Sequence, residues 1–343
     1  MSETASKQNR DGKYDFCKFI LIFSVILGHT ITALKCGYDK EIGLHVFIRS
    51  FDMPMFAFVS GYFLYSSCKK KYWKDNIKAK VLTIFIPILI WTLIFDVVER
   101  NLVVFRFWFL WSILGCSVLI ILIDSFICNR MCRDIAFIVA IGLFHTILID
   151  PFNIGFLLFP TVLGYLYKEN ESFFLKNNIF VFCVSLVVFA ACLVNWKTEY
   201  NVWNLGCCVL QGNYLATISN MILRGIMGLS GSLTMLFLFS RGYNLLKRLS
   251  HPYMGGWLQR MLKVGENTMP IYILQSFFVE NCGGRVVSAI VSKLGANPFC
   301  ESEFLLAYIY APIVTIFSIV FITIVIRYIQ KVPCVGTSAF GIK

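Results

Sequence analysis

The feature that most restricts this chain is a repetition. Apolar runs of about 20 residues, each long enough to cross a hydrocarbon core as a helix, recur throughout its 343 residues. They lie near 16–35, 43–67, 81–99, 108–127, 135–149, 154–167, 179–195, 216–240, 267–282 and 304–327. With 58% hydrophobic and 15% charged residues and a mean hydropathy of +0.72, the chain lacks the polar surface a soluble protein of this length needs. It reads as an all-α, polytopic membrane helix bundle of about ten transmembrane helices, with both termini cytoplasmic. A polar tail at 1–14 precedes an integral-membrane domain at 15–331, and a tail at 332–343 follows that is polar and short enough to be left disordered. The opening "MSETASKQNRDGKYD" is polar and the next run exceeds an h-region, so no cleavable signal peptide is expected.

A net charge of +12 suggests nucleic acid until the basic residues are placed. With the N-terminus inside, cytoplasmic segments hold about 21 Lys and Arg and the outer loops about 7, with Lys18, Arg49 and Arg224 within or at the edges of runs. The charge reports topology, and nucleic acid is not an expected partner. Among the 13 cysteines, Cys17, Cys116, Cys128, Cys183, Cys192 and Cys282 fall in or beside apolar runs, where the thiol acts as a small hydrophobe. There is no CxxC pair and no Cys/His cluster with zinc spacing, so no metal is expected. Cys36, Cys207, Cys208 and Cys300 face outside in this topology, where pairing is open to them. The stretch "SRGYNLLKRLSHPYMGGWLQRMLKVGEN" alternates Leu, Trp and Met with Arg and Lys, as an amphipathic helix on the inner leaflet does. No internal repeat is visible, which weakens a transporter built of duplicated halves.

Ionisable groups inside such runs are costly and call for a functional explanation. In "DFCKFILIFSVILGHTITALKCG", eleven residues separate Lys18 from His29. Along a helix that spacing returns to within about 20° of the same face and rises about 16 Å. Lys18 and His29 therefore share a stripe with Ile22 and Val25, a cation at the cytoplasmic mouth and an imidazole deeper in. That layout suits a long substrate with an anionic end. The bland alternative has Lys18 snorkelling to headgroups and His29 bonding a neighbouring helix. "SFDMPMFAFVSGYFLYSS" places Asp52, Pro54, Ser60 and Gly61 in an aromatic run. Pro54 is expected to kink the helix. Ser60–Gly61 suits either a close helix approach or a functional role, and Asp52 either pairs with Arg49 or orients an imidazole. Lys78 and Lys80 end the basic stretch "KKKYWKDNIKAK", and Arg106, Trp108 and Trp111 fit an interfacial aromatic belt. "VGENTMPIYILQSFFVE" supplies Glu266, Asn267 as a helix cap, Tyr272 and Gln275 on one face, and Glu280. Arg224 sits beside Gly225, Gly228 and Gly231.

The order of these pieces resembles one family. Lys18 and His29 after Asp15, "MPMF" and "SGY" in the second run, "KVLTIFIP" in the third, "FWFLW" before the fourth, "FLLFPTVLGYLYK" in the sixth and "GENTMPIYILQ" in the ninth together resemble the integral-membrane acyltransferase family 3, in its group of sugar O-acetylases. The resemblance runs from position 15 to about 280. It implies an enzyme that uses acyl-CoA, usually acetyl-CoA, as co-substrate to acylate a hydroxyl of an exported or surface glycan, free or lipid-linked, in a bacterial plasma membrane. On this reading His29 is the general base, assisted by Lys18 and by Asp15 or Asp52. Lys78, Lys80, Ser60 and Trp108 serve the CoA, and Tyr272, Gln275, Asn267 and Arg224 serve the substrate or its oxyanion. Direct transfer and a covalent acyl-His29 intermediate both remain open. Many relatives carry His-Met-Pro where this chain has Asp52-Met53-Pro54, and a histidine where it has Gln275. The rival class is a transporter or flippase for a lipid-linked glycan. A structural partner in a glycan-assembly complex is the third reading.

Overall fold

In hydrocarbon a backbone must satisfy its own N–H and C=O groups, and a helix does so within one segment. The structure, a computed structural model, describes residues 12–35, 41–99, 104–146, 152–197, 214–249, 255–295, 297–300, 302–332 and 335–340, and there the apolar runs are all helical. The first three helices are α1, Gly12–Leu34, α2, Gly43–Lys70, and α3, Trp73–Glu99. A 3-10 turn, Val104–Phe107, leads into α4, Trp108–Phe126, followed by α5, Arg130–Thr146, and α6, Ile154–Glu169. The short α7, Glu171–Lys176, precedes α8, Asn178–Val194, and the long α9, Tyr214–Leu249. Then come α10, Gly255–Glu266, α11 over 268–294, α12, Glu303–Ile329, and α13, Val335–Phe340.

Among the described residues, α1, α3, α4, α9 (from Ile218) and α12 are long and apolar enough to cross a membrane. The chain is a multi-pass, all-α membrane protein. Outward-facing Val97, Phe180, Val187, Val194, Ile138 and Phe317 are strongly exposed, as residues that meet lipid must be. Wide i→i+5 turns interrupt α3 at Val81–Phe85, α11 at Ser276–Gly283 and α12 at Leu306–Tyr310.

The structure departs from the sequence reading in several places. The basic stretch after α2 is largely helical, because Asp75 suits the first turn and nothing breaks the helix before α3 continues. For the same reason α9 extends through Lys247 and Arg248. Gly283 and Gly284 stay in the right-handed helical region, so α11 ends only at Gly295, whose φ of 70° forms the stop. Residues 335–340, expected to be disordered, form α13: Phe340 stacks on Trp91 at 5.5 Å, and the Trp91 indole donates to the Ala339 carbonyl at 2.7 Å. The N-terminal tail to residue 11 and Cys36, Cys207 and Cys208 lie outside the described residues, and the Cys300 thiol lies 3.8 Å from the Leu34 carbonyl oxygen.

The chain divides into two compact units, one of residues 1–37 and 235–323, the other of 38–234 and 324–343. In the first, α10 packs so closely on α1 that a Cβ on Gly265 would run into the backbone carbonyl of Asp15. Thr30 and Thr315 bond at 3.2 Å between α1 and α12, and Asn297 donates to the Leu34 carbonyl at 2.9 Å. In the second, α2 and α6 meet through two glycines. A Cβ on Gly61 would strike the Thr161 carbonyl, and one on Gly164 would strike that of Phe58. The sequence expectation of a close approach at Ser60–Gly61 belongs to this contact. One end of this unit is tied by ion pairs: Arg133 reaches Glu169 at 2.7 Å, Asp134 at 2.9 Å and Asp124 at 3.4 Å, while the Tyr165 hydroxyl donates to Asp124. Burial disfavours the Arg133 charge, but Glu169 and Asp134 outweigh it and raise its pKa.

Candidate active site

The first unit contains the Lys18–His29 stripe. Ile22 and Val25 between them are fully buried, whereas the two ionisable side chains keep exposures of 20% and 21%. Lys18 Nζ lies 3.5 Å from the buried Asp15 carboxylate, one turn earlier. Asp15 is therefore the partner of Lys18. The carboxylate beside the imidazole is Glu280, whose Oε1 lies 3.2 Å from His29 Nδ1. The same oxygen accepts from the Gln275 amide, with Nε2 at 3.1 Å. An amide turned the other way would set oxygen against oxygen, so the carboxylate itself fixes this orientation. Gln275 is fully buried and its Oε1 has no hydrogen-bond partner among the described residues.

The wide turn in α11 explains how Glu280 gets there. In a regular α-helix residues five apart are rotated by about 140° and diverge. The i→i+5 pattern over Ser276–Gly283 brings Gln275 and Glu280 together and aims both at α1. Chemically, a carboxylate accepting from Nδ1–H fixes the tautomer and places the basic lone pair on Nε2. Glu280 is the site residue that spacing arguments missed. Its signal lay only in an acidic residue inside an apolar run.

Tyr272 lies one turn before Gln275, and both are buried. Asn267 occupies the N-cap position of the next helical segment, but its amide donates backwards to the Lys263 carbonyl at 2.8 Å. Its side chain closes the end of α10 and does not cap the helix that follows.

The other predicted residues belong to the second unit. The amide of Asn76 donates to the carbonyls of Ser67 at 3.2 Å and Lys71 at 3.3 Å, and its oxygen accepts from the Ser67 hydroxyl at 2.5 Å. These bonds clamp the turn between α2 and α3 and order the basic stretch that carries exposed Lys78 and half-buried Lys80. Ser60 is half-buried on α2, and Trp108 opens α4.

Asp52 is buried, and its Oδ1 accepts from the Met53 N–H at 2.6 Å. The expected Asp52–Arg49 pair gives way to a bond from Arg49 Nε to His45 Nε2 at 2.8 Å, on the preceding turn. Arg224, 2% exposed on α9, donates from Nη1 to the Ser50 carbonyl at 2.7 Å and from Nη2 to the Arg49 carbonyl. Proline explains the choice. Pro54 has no N–H, so the Ser50 carbonyl four residues earlier loses its intrahelical donor, and Arg224 replaces it. Gly228 leaves room for the Pro54 ring at this crossing. The helix thus runs through Pro54 from Gly43 to Lys70. Among the described residues no group of His, Cys, Asp and Glu converges to hold a metal ion.

Two nodulation proteins named NolL are similar to this chain. The one from Mesorhizobium japonicum is 27% identical over 233 residues, 58% of this chain and 60% of its own length. The one from Sinorhizobium fredii is 25% identical over 232 residues, 59% and 62% respectively. The chain thus spans about three fifths of the length of these curated relatives. No solved structure matches it. A family model described as an acyltransferase domain matches residues 11–328, from the start of α1 to the end of α12, so both His29 and Glu280 lie inside it. The chain belongs to acyltransferase family 3, a family of membrane acyltransferases.

Proposed function

We propose that the protein moves an acetyl group from acetyl-CoA to a hydroxyl of a carbohydrate, an exported or surface glycan, and that it works in the bacterial plasma membrane with ten spans and both termini inside. The observation that carries this reading is the His29–Glu280 pair at 3.2 Å, with Gln275 on the same carboxylate oxygen.

With its Nδ1 proton on Glu280, His29 takes the acceptor hydroxyl proton at Nε2 as that oxygen attacks the thioester carbonyl. The tetrahedral intermediate collapses, the C–S bond breaks, and the thiolate leaves and takes the proton back from the imidazolium. The oxyanion needs a donor. Gln275 spends one amide N–H on Glu280 and keeps a second, so that N–H and the Tyr272 hydroxyl both suit that role. Lys18 suits the phosphates of the CoA nucleotide, as do Lys78 and Lys80 on the second unit. Asp15 keeps Lys18 oriented rather than the imidazole.

Label transfer from radioactive acetyl-CoA, in membranes of a host that supplies a surface-glycan acceptor, tests this. Label in glycan with the wild type, lost with His29→Ala and reduced with Lys18→Ala, is the expected result. No label above the His29→Ala background overturns it and favours a transporter.

A further inference from the structure

We propose that Arg49, Arg224 and Trp196 of the second unit form a binding site for an oxyanion, a carboxylate or a phosphate, carried by the saccharide acceptor; this rests on the carbohydrate acyl-transfer reading above. The first ground is unfilled hydrogen-bonding capacity. The Arg224 guanidinium uses both Nη groups on backbone carbonyls, yet its Nε is buried with no partner among the described residues. Half-buried Arg49 has its Nε on His45, while its two terminal nitrogens make no hydrogen bond among the described residues. A buried donor left without an acceptor is costly, and native sites of this kind hold an ion, a ligand or a water.

Charge is the second ground. His45 accepts from Arg49 through Nε2, which leaves two guanidiniums against one buried carboxylate, Asp52, with Glu41 exposed beyond Trp196. An excess cation withdrawn from water calls for an anion.

The surroundings narrow the ligand. The Arg224 guanidinium lies 5.1 Å from the Phe156 ring centroid and 5.9 Å from that of Trp196. Phe156 is buried and fixed. Trp196 is half-exposed at the end of α8, tied by its indole N–H to exposed Glu41 at 3.2 Å. An indole at the mouth, next to a carboxylate, suits the apolar face and hydroxyls of a sugar ring, while the guanidiniums behind it suit the sugar's anionic group. In the orientation proposed above, the start of α2 and the end of α8 face the outside.

The sugar itself or a lipid-linked carrier can supply the oxyanion, and matched probes separate the two. Purified full-length protein in nanodiscs is titrated calorimetrically with glucuronic acid against glucose, and with farnesyl phosphate against farnesol. The anionic member of one pair should bind at least about tenfold more tightly, and that pair names the source. Trp196→Ala should weaken it about fivefold, and Arg49→Gln should remove the preference. Arg49→Gln is the decisive variant, because Arg224 also closes the gap at Pro54. Equal binding within both pairs, or a preference that survives Arg49→Gln, overturns the site. Turnover of acetyl-CoA by the wild type but not by His29→Ala is measured in parallel. Such turnover without anion preference overturns this site alone, whereas anion preference without turnover supports the site and sinks the acyl-transfer reading.

Discussion

His29 and Arg224 are both ionisable groups set into apolar helices, and sequence alone ranks them alike. Their partners divide them. Arg224 is closed onto two backbone carbonyls of α2, one of them orphaned by Pro54, so most of its capacity repairs a helix. His29 keeps a fifth of its surface and faces a side-chain carboxylate that is itself anchored by an amide. A group bonded to backbone does structural work, whereas one bonded to a positioned carboxylate can change its protonation during a reaction. The comparison teaches that partner type, rather than burial, separates the two uses of a costly residue.

The sharpest way to break this comparison is to remove the groups on the His29 side. His29→Ala should lower acetyl transfer by about 10³-fold or more while the protein still accumulates in membranes. If the variant fails to accumulate, His29 does structural work, as the two Nη groups of Arg224 do. Glu280→Gln should lower transfer by about 10²-fold with little change in thermal stability, because it removes the negative charge beside Nδ1–H and keeps the volume. Wild-type rates in that variant would sever the proposed link.

On the Arg224 side the readout is stability. Arg224→Met should cost about 2–3 kcal/mol, since two carbonyls in hydrocarbon lose their donor. Pro54→Ala, which restores an N–H for the Ser50 carbonyl, should recover part of that loss, and a double-mutant cycle in detergent measures the coupling. Additive losses would mean that Arg224 does not compensate for the proline. A smaller effect is expected at the clamp of the basic turn: Asn76→Ala should destabilise by about 1–2 kcal/mol and raise the KM for acetyl-CoA more than it lowers kcat.

Most of the helical layout was legible, because long apolar runs leave the backbone one solution. The limits of α9 and α11 were not, since each run was ended where its polarity rose although nothing there broke the helix. The Lys18–His29 stripe followed from helical arithmetic on α1. The partner of His29 did not, because that arithmetic assumes 3.6 residues per turn and places Glu280 on the wrong face. Arg224 was legible as an anomaly but not as a repair, since its counterpart is an absent N–H on another helix. The pairing of Arg49 with His45 rather than Asp52 was equally hidden, because both neighbours lie one turn away.

The widened turn at Ser276–Gly283 has a bearing on how relatives are aligned. Such a turn is what an α-helix forms when it absorbs one additional residue without breaking. The pairing of Glu280 with His29 therefore depends on chain length as much as on residue identity. Deleting one position between Gln275 and Glu280 would return the segment to a regular helix and set the two residues four apart, about 40° from one another and still on one face. A relative with a regular helix here would need its glutamate four residues after the Gln275 position, and one still five residues on would point its carboxylate away from the imidazole.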